Sequence, residues 1–263
     1  MHQRLSKSPI TYVLAQVQFS DIANIADYIP KLQDEIRPLF PLYQMVNIQT
    51  IQFRDGQQPP VASVSSQWQF MDKDKRTGIV LDSRSVSIHT SGYETFATLL
   101  KSLEKTLALF NKILKIALFT RIGLRYINFM DNNVDKVNSE LRGFKLKNND
   151  FMDDRFLTKT ETTQMSRFGT IKVQATHIGN REIVSGIKNI FVPPDLADIA
   201  NFLLFEHRKL PDKGFLILDI DQFNAQQGNF DVSSISNRFQ ELHEVIYSAF
   251  RNAIGEEVLK DLE

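Results

Sequence analysis

Cysteine is absent from the 263-residue chain, and its absence removes several classes of protein at once. Without thiols the chain forms no disulfide, no thiolate nucleophile and no cysteine-ligated zinc or iron-sulfur centre. The N-terminus lacks the apolar run of a secretory signal, so we expect a cytoplasmic protein. No stretch approaches the roughly 20 apolar residues of a membrane-spanning helix. The best stretch, 113–119, is interrupted by Lys115, and we expect no association with a membrane.

Net charge is lacking as well, because 31 basic residues balance 31 acidic ones. A neutral chain has no general attraction to polyanions, so nucleic acid is not a favoured partner. Hydrophobic residues make up 42% of the chain and charged residues 24%, which is ordinary for a folded globular protein, and 20 phenylalanines supply much of the apolar volume.

Sequence motifs of catalysis are missing too. The glycines do not form either of the common phosphate-binding patterns, and no Gly-x-Ser-x-Gly nucleophile motif occurs. The five histidines show none of the spacings that bind metals. Catalysis by an activated nucleophile and a histidine-based metal site therefore have no support from the sequence.

Hydrophobic periodicity predicts an α+β fold, with antiparallel sheets in two halves that are each covered by a long amphipathic helix. In the N-terminal half we predict strands at 9–19, 44–53, 61–71, 77–81 and 84–89, and helices at 22–36, 91–114 and 133–142. In the C-terminal half we predict strands at 158–166, 170–178, 182–191 and 215–223, an insert at 193–211 and a helix at 233–253.

Two helix starts follow from capping patterns. Ser20 and Asp21 offer N-cap oxygens to the first helix, in which Pro30 is expected to introduce a kink. Ser91 and Glu94 have the spacing of a capping box, which predicts the start of the second helix. Polar residues at 147–155 predict a surface connection and place a boundary between the halves 1–143 and 144–263, with one continuous domain as the alternative.

The most informative stretch is Arg-Ile-Gly-Leu-Arg-Tyr-Ile-Asn at 121–128, because it places two guanidinium groups in an otherwise apolar strand. Side chains alternate across a strand, so Arg121, Gly123 and Arg125 share one face. Two charged arginines on one strand face require carboxylates, an anion or solvent at that face.

A second strand, Phe215 to Phe223, carries Asp219 and Asp221 on one face. Two readings of this pair remain open. The carboxylates could neutralise Arg121 and Arg125, which would make all four residues part of the architecture. Alternatively, they could hold Mg²⁺ against a phosphate group while the arginines clamp that phosphate.

Three segments together resemble a sporadically distributed prokaryotic family of about the length of this chain. They are Ser8 to Phe19, the Arg121 to Asn128 motif, and Asp219-Ile-Asp221 followed by the helix from Phe239 to Phe250. In the first segment, Thr11 and Tyr12 stand where the family commonly has an acidic residue. The resemblance implies no established reaction, and the patchy distribution of the family suggests mobile genes, such as host-defence or toxin-antitoxin clusters.

Our leading hypothesis is a non-enzymatic binding or interaction protein without a cofactor, whose ligand or ion-pair locus is Arg121, Arg125, Asp219 and Asp221. A protein partner or a homodimer is the expected form of that interaction. The alternative is a metal-dependent enzyme that acts on a nucleotide or phosphate ester, with Mg²⁺ bound by Asp219 and Asp221.

Overall fold

The computed structural model describes residues 7–52, 61–130, 156–180 and 213–262, together with the single residues 137, 141 and 211. Within these ranges the elements are β1 (Ile10–Phe19), a 3-10 helix (Ile25–Tyr28), α1 (Ile29–Ile36), β2 (Leu42–Gln52), β3 (Val61–Met71), β4 (Thr77–Leu81), β5 (Ser85–Thr90), α2 (Phe96–Leu114), β6 (Leu118–Met130), β7 (Leu157–Ser166), β8 (Gly169–Asn180), β9 (Lys213–Asn224), β10 (Gly228–Asn229) and α3 (Val232–Leu262). The predicted helix at 133–142, strand at 182–191 and insert at 193–211 lie outside the described residues, as does the predicted boundary at 143/144.

The ten described strands form one antiparallel sheet in the order β2-β3-β4-β5-β1-β6-β9-β8-β7, with the short β10 paired to the start of β6. The α+β class and the antiparallel pairing are therefore confirmed. Two separate half-sheets are not confirmed, because β6 from the first half pairs directly with β9 from the second. This junction brings the two charged strands side by side.

The main hydrophobic cluster lies on one face of the sheet, which we call the helix face, and a smaller set of buried apolar residues that includes Ile127, Phe129 and Phe215 lies on the opposite face. The strand residues of the main cluster include Val13, Val17, Ile122, Leu124 and Leu218, all of which are fully buried. Helices α2 and α3 cover this face and pack against each other, and α3 contacts both β6 and β9. The two long helices thus cover one shared sheet.

The start of α2 differs from the capping-box prediction. Thr95 is the N-cap, and its hydroxyl accepts a hydrogen bond from the Thr98 amide at 3.1 Å. Ser91 is held elsewhere, because its amide donates to the Arg76 carbonyl at 2.8 Å in the neighbouring turn of the sheet. The prediction that Ser91 caps the helix is therefore wrong.

The first helical segment also differs in detail. It begins as a 3-10 helix, and Pro30 lies in the first turn of α1 rather than in its middle. The proline ring presets a helical φ and removes an N–H that would have no intrahelical acceptor there, so Pro30 starts this helix and does not kink it.

In α3 the helical path is interrupted at Gly255, whose φ of 76° lies in the left-handed region that glycine tolerates.

Candidate binding site on the charged face of the sheet

The sheet face opposite the helices carries all four of the predicted site residues. Arg121 and Arg125 on β6 lie beside Asp219 and Asp221 on β9, and Arg125 is directly opposite Asp221 in the register. We call this surface the charged face and define it by these four residues together with Gln16 of β1. Sequence alternation alone placed each pair on one face of its strand, and the β6–β9 pairing brings the two pairs together.

The inner ion pair joins Arg125 and Asp219 and is nearly closed to solvent. The Arg125 Nε donates to Asp219 Oδ1 at 2.8 Å, while its Nη2 donates to Oδ2, so the guanidinium binds both carboxylate oxygens. The exposed fractions of the two side chains are 13% and 8%. This bidentate geometry is the strongest form of arginine-carboxylate contact.

The electrostatics of Arg125 are those of a well-compensated buried cation. Burial by itself would lower the pKa of Arg125, but the hydrogen bonds to Asp219 and the charges of Asp219 and Asp221 outweigh it and raise that pKa. Arg125 therefore remains charged and stays bound to Asp219.

The outer ion pair, Arg121 with Asp221, is looser and more open. The shortest nitrogen-oxygen distance is 4.0 Å, and the side chains are 24% and 28% exposed. Burial raises the pKa of Asp221, although Arg121 and Arg125 oppose that shift. The Asp221 carboxylate is thus held less firmly in its charged form than an exposed aspartate would be.

Arg121 is positioned by neighbours other than Asp221. Its Nη1 donates to Gln16 Oε1 at 3.0 Å, and its guanidinium lies 4.4 Å from the centre of the Phe223 ring. Gly123 makes room for this arrangement, because a Cβ at that position would lie 3.0 Å from the Arg121 Nη1. The spacing Arg-x-Gly-x-Arg therefore reflects one side chain folded over the glycine between the two arginines.

The row of charges continues onto the next strands. Lys172 on β8 lies opposite Asp221, and its Nζ is 2.9 Å from the Glu161 carboxylate on β7. Both of these side chains are about two-fifths exposed, at 43% and 39%. Exposure therefore rises from the inner pair, through Arg121 and Asp221, to Lys172 and Glu161.

The Asp219 carboxylate is already bound to Arg125, which bears on the alternative reading of Asp219 and Asp221 as Mg²⁺ ligands. Magnesium needs carboxylate oxygens that are free to coordinate, and both oxygens of Asp219 accept hydrogen bonds from a guanidinium. In the described part of the chain, no three acidic or histidine side chains come together as a metal-binding group.

The helix face contains a polar cluster that the sequence reasoning missed. The Tyr126 hydroxyl donates to the Tyr93 hydroxyl at 3.2 Å and lies 3.3 Å from the His243 Nδ1, and the His243 ring stacks on Phe96. Burial raises the pKa of Tyr126 well above its usual value. The available signal was a tyrosine on the apolar side of β6, where a hydroxyl requires a polar neighbour.

A second missed group is His89 on β5, which lies at the opposite sheet face from the core helices. It is fully buried, and among the described residues neither ring nitrogen has a hydrogen-bond partner. Burial lowers the pKa of His89 to about 4, so the imidazole is neutral at physiological pH. The alternating sequence of β5 gave no indication that the His89 side chain would be completely buried.

No protein-family model matches the chain, and no curated protein matches it. Among the helices of the described residues, none is long and apolar enough to cross a membrane.

Proposed function

We propose that the protein acts by binding a partner rather than by catalysing a reaction. The proposed binding surface is the outer part of the charged face, centred on Arg121 and including Asp221 and Lys172. Its partner would be a protein that presents carboxylates, or a small anionic ligand. The cytoplasm is the proposed location.

The observation that carries this proposal is the difference between the two ion pairs. Arg125 and Asp219 form a bidentate pair that is 13% and 8% exposed, whereas Arg121 and Asp221 are separated by 4.0 Å and are about a quarter exposed. An incoming carboxylate could take the place of Asp221 beside Arg121 at little electrostatic loss, since exposed or loose pairs contribute only about 0–1 kcal/mol.

The surroundings of Arg121 also favour recognition over chemistry. Gln16 and the Phe223 ring hold the guanidinium in one orientation. A pre-oriented arginine loses less side-chain entropy when it binds a planar carboxylate, which favours its use in interfaces. We place the protein in a prokaryotic mobile-element, defence or toxin-antitoxin gene cluster on the strength of the family resemblance alone.

The test is affinity capture from cells that encode the protein, with quantitative mass spectrometry of the bound material. The bait variants are the wild type, Arg121→Gln and Arg84→Gln. Arg84 is a matched control because it is an arginine in an open ion pair, 3.7 Å from Asp21 and 74% exposed. We expect at least one protein to be retained by the wild type and by Arg84→Gln but lost from Arg121→Gln.

The competing function is a metal-dependent enzyme acting on a nucleotide or phosphate ester, with Asp221 as its most accessible carboxylate. It predicts a different result. All three baits would retain the same proteins, and a nucleotide would stabilise the wild type and Arg84→Gln only when Mg²⁺ is present. That combination would overturn the binding proposal.

A further inference from the structure

Strand β2 lies at one end of the sheet and pairs with β3 alone among the described strands. Its residues from Leu42 to Gln52 form a ladder with β3 along their whole length. In an antiparallel ladder, alternate residues direct their backbone N–H and C=O groups outward, which amounts to about five of the residues in this strand. The outer edge of β2 thus offers a row of hydrogen-bonding groups.

This edge lacks the usual protection against pairing. No charged residue occurs from position 38 to position 53, and none occurs in β3. Edge strands of monomeric proteins commonly carry lysine or other charges that prevent association with a further strand. At the opposite end of the described sheet, β7 has such charges in Lys159 and Glu161.

Exposed apolar side chains concentrate at the same place. Of the six large hydrophobic side chains that are exposed in the described residues, five lie on or beside the β2–β3 hairpin; they are Leu39, Leu42, Tyr43, Met45 and Val64, with exposed fractions from 38% to 73%. A cluster of this kind on a soluble surface is typical of an interface.

The β2–β3 hairpin also extends beyond β4, the strand that pairs with β3 on its other side. β4 pairs only with Trp68 to Met71 of β3, so the remainder of the hairpin is a two-stranded ribbon within the described structure. A two-stranded ribbon is marginally stable in water, and a third strand stabilises it. The edge, the missing charges and the apolar side chains all indicate where that strand would bind.

We propose that β2 pairs antiparallel with β2 of a second copy of this chain, about a two-fold axis at Asn47. In this register Val46 of each copy lies opposite Ile48 of the other, which pairs two half-buried β-branched residues. Asn47 meets its own symmetry mate. Its Oδ1 already accepts a hydrogen bond from Ser66, and its amide hydrogens can donate across the axis.

The absence of charge makes β2 compatible with a second copy of itself, which is the occupant that we propose. A charged side chain at or next to the two-fold axis would lie beside its own symmetry mate, which is a like charge, and β2 has none. The interface is isologous, so it closes after two copies. The outer strands of the joined sheet would then be the two β7 strands, whose charges oppose further growth.

The inference rests on the proposed function in that it names one partner of a binding protein. It uses a different surface, because β2 lies at the end of the sheet whereas Arg121 lies on the inner strand β6. Loss of self-association would therefore leave the Arg121 proposal intact, and loss of partner capture by Arg121→Gln would leave the dimer intact.

The first test measures molar mass by light scattering during gel filtration of the full chain. We expect the wild type to have twice the 30.3 kDa of one chain. Asn47→Lys places two ammonium groups at the two-fold axis, and we expect that variant to have the mass of a monomer at the same concentration. Thr162→Lys on β7 is the control, since it adds the same charge to an exposed position of the other end strand, and should remain dimeric.

The second test uses the lack of cysteine in the natural chain. Asn47→Cys introduces a single thiol that should form a disulfide with its symmetry mate under mild oxidation, because directly opposite residues have Cβ atoms about 4.5–5.5 Å apart, which a small adjustment brings to the roughly 3.5–4.5 Å of a disulfide. Thr162→Cys should form none, because Thr162 lies at the other end of the sheet. A monomeric wild type would overturn the proposal. So would a dimer that Asn47→Lys leaves intact, or aggregates larger than a dimer.

Discussion

Replacing Asp219 by asparagine should destabilise the protein much more than the same change at Asp221. Asp219→Asn keeps the size of the side chain but leaves the Arg125 guanidinium, which is 13% exposed, without its bidentate partner. Removing one member of a buried ion pair generally costs about 3–5 kcal/mol. Because both side chains retain some contact with solvent, we expect a loss of about 3 kcal/mol in the free energy of unfolding.

Asp221→Asn should change the free energy of unfolding by less than about 1 kcal/mol. The Arg121 nitrogen is 4.0 Å away from the carboxylate and both side chains keep about a quarter of their surface exposed, so we expect the ion pair to contribute little, as loose and partly solvated pairs do. Burial raises the pKa of Asp221, which means that the folded protein already opposes this charge. Its removal relieves that opposition and offsets part of the lost attraction.

The assay is urea denaturation at pH 7 followed by the fluorescence of Trp68, the single tryptophan, which is buried in the core. Equal slopes of free energy against urea concentration would show that both variants unfold from comparable native states. A double variant, Arg125→Met with Asp219→Leu, should recover most of the lost stability because it leaves no unpaired charge. Equal losses in the two asparagine variants, or a loss below about 1 kcal/mol in Asp219→Asn, would refute this reasoning.

Three further changes test other parts of the structure. The pKa of His89 falls from 6.5 to about 4 on folding, so about 3 kcal/mol of the free energy of unfolding is present above pH 6.5 and is lost as the pH falls towards 4. In urea titrations at several pH values, His89→Leu should lack this part of the pH dependence. An identical pH dependence in both proteins would contradict the assignment. Thr95→Ala should lower the free energy of unfolding by about 1 kcal/mol and Ser91→Ala by much less, because Thr95 is the N-cap. A larger loss for Ser91→Ala in urea denaturation would instead support Ser91 as the N-cap. Tyr126→Phe should cost about 1 kcal/mol in the same assay, since it removes the hydroxyl contacts to its two polar neighbours, and an unchanged stability would show that the cluster contributes nothing.

Local patterns predicted the individual elements well for a physical reason. Strand alternation and helical spacing depend on which face of an element is buried, and that information is present within 5–10 residues. The strands of the β3–β4–β5 meander accordingly match their predicted ranges closely, and the helix α2 ends at Leu114 as predicted. The common face of Arg121 and Arg125 follows from the same alternation.

Pairing between distant strands was not predictable in this way. The β6–β9 ladder joins residues that are about 90 positions apart, and nothing in either segment specifies the register. The charges gave the only hint, because buried arginines require carboxylates and Asp219 and Asp221 were the paired candidates. Arg125 lies directly opposite Asp221 but donates both hydrogen bonds to Asp219, its diagonal neighbour on β9. This choice depends on the geometry of the folded sheet and not on either strand's sequence.

The helix start at Thr95 shows a similar limit. Ser91 has the right spacing to Glu94, but its amide is engaged by the Arg76 carbonyl across the turn of the sheet. A tertiary hydrogen bond therefore decides between two local capping patterns. His89 is comparable, since its complete burial depends on the packing of the assembled sheet rather than on its own strand pattern.

The most direct test of the central claim, that the charged face serves binding and not metal-dependent catalysis, is thermal unfolding of the wild type with Mg²⁺ and a panel of nucleotides and phosphate esters. Ligand at 100 times its Kd stabilises a fold by about 2.7 kcal/mol, so a functional site would be readily visible. We predict no Mg²⁺-dependent rise in Tm for any compound. A saturable rise that requires Mg²⁺ and is lost in Asp221→Asn would contradict the account.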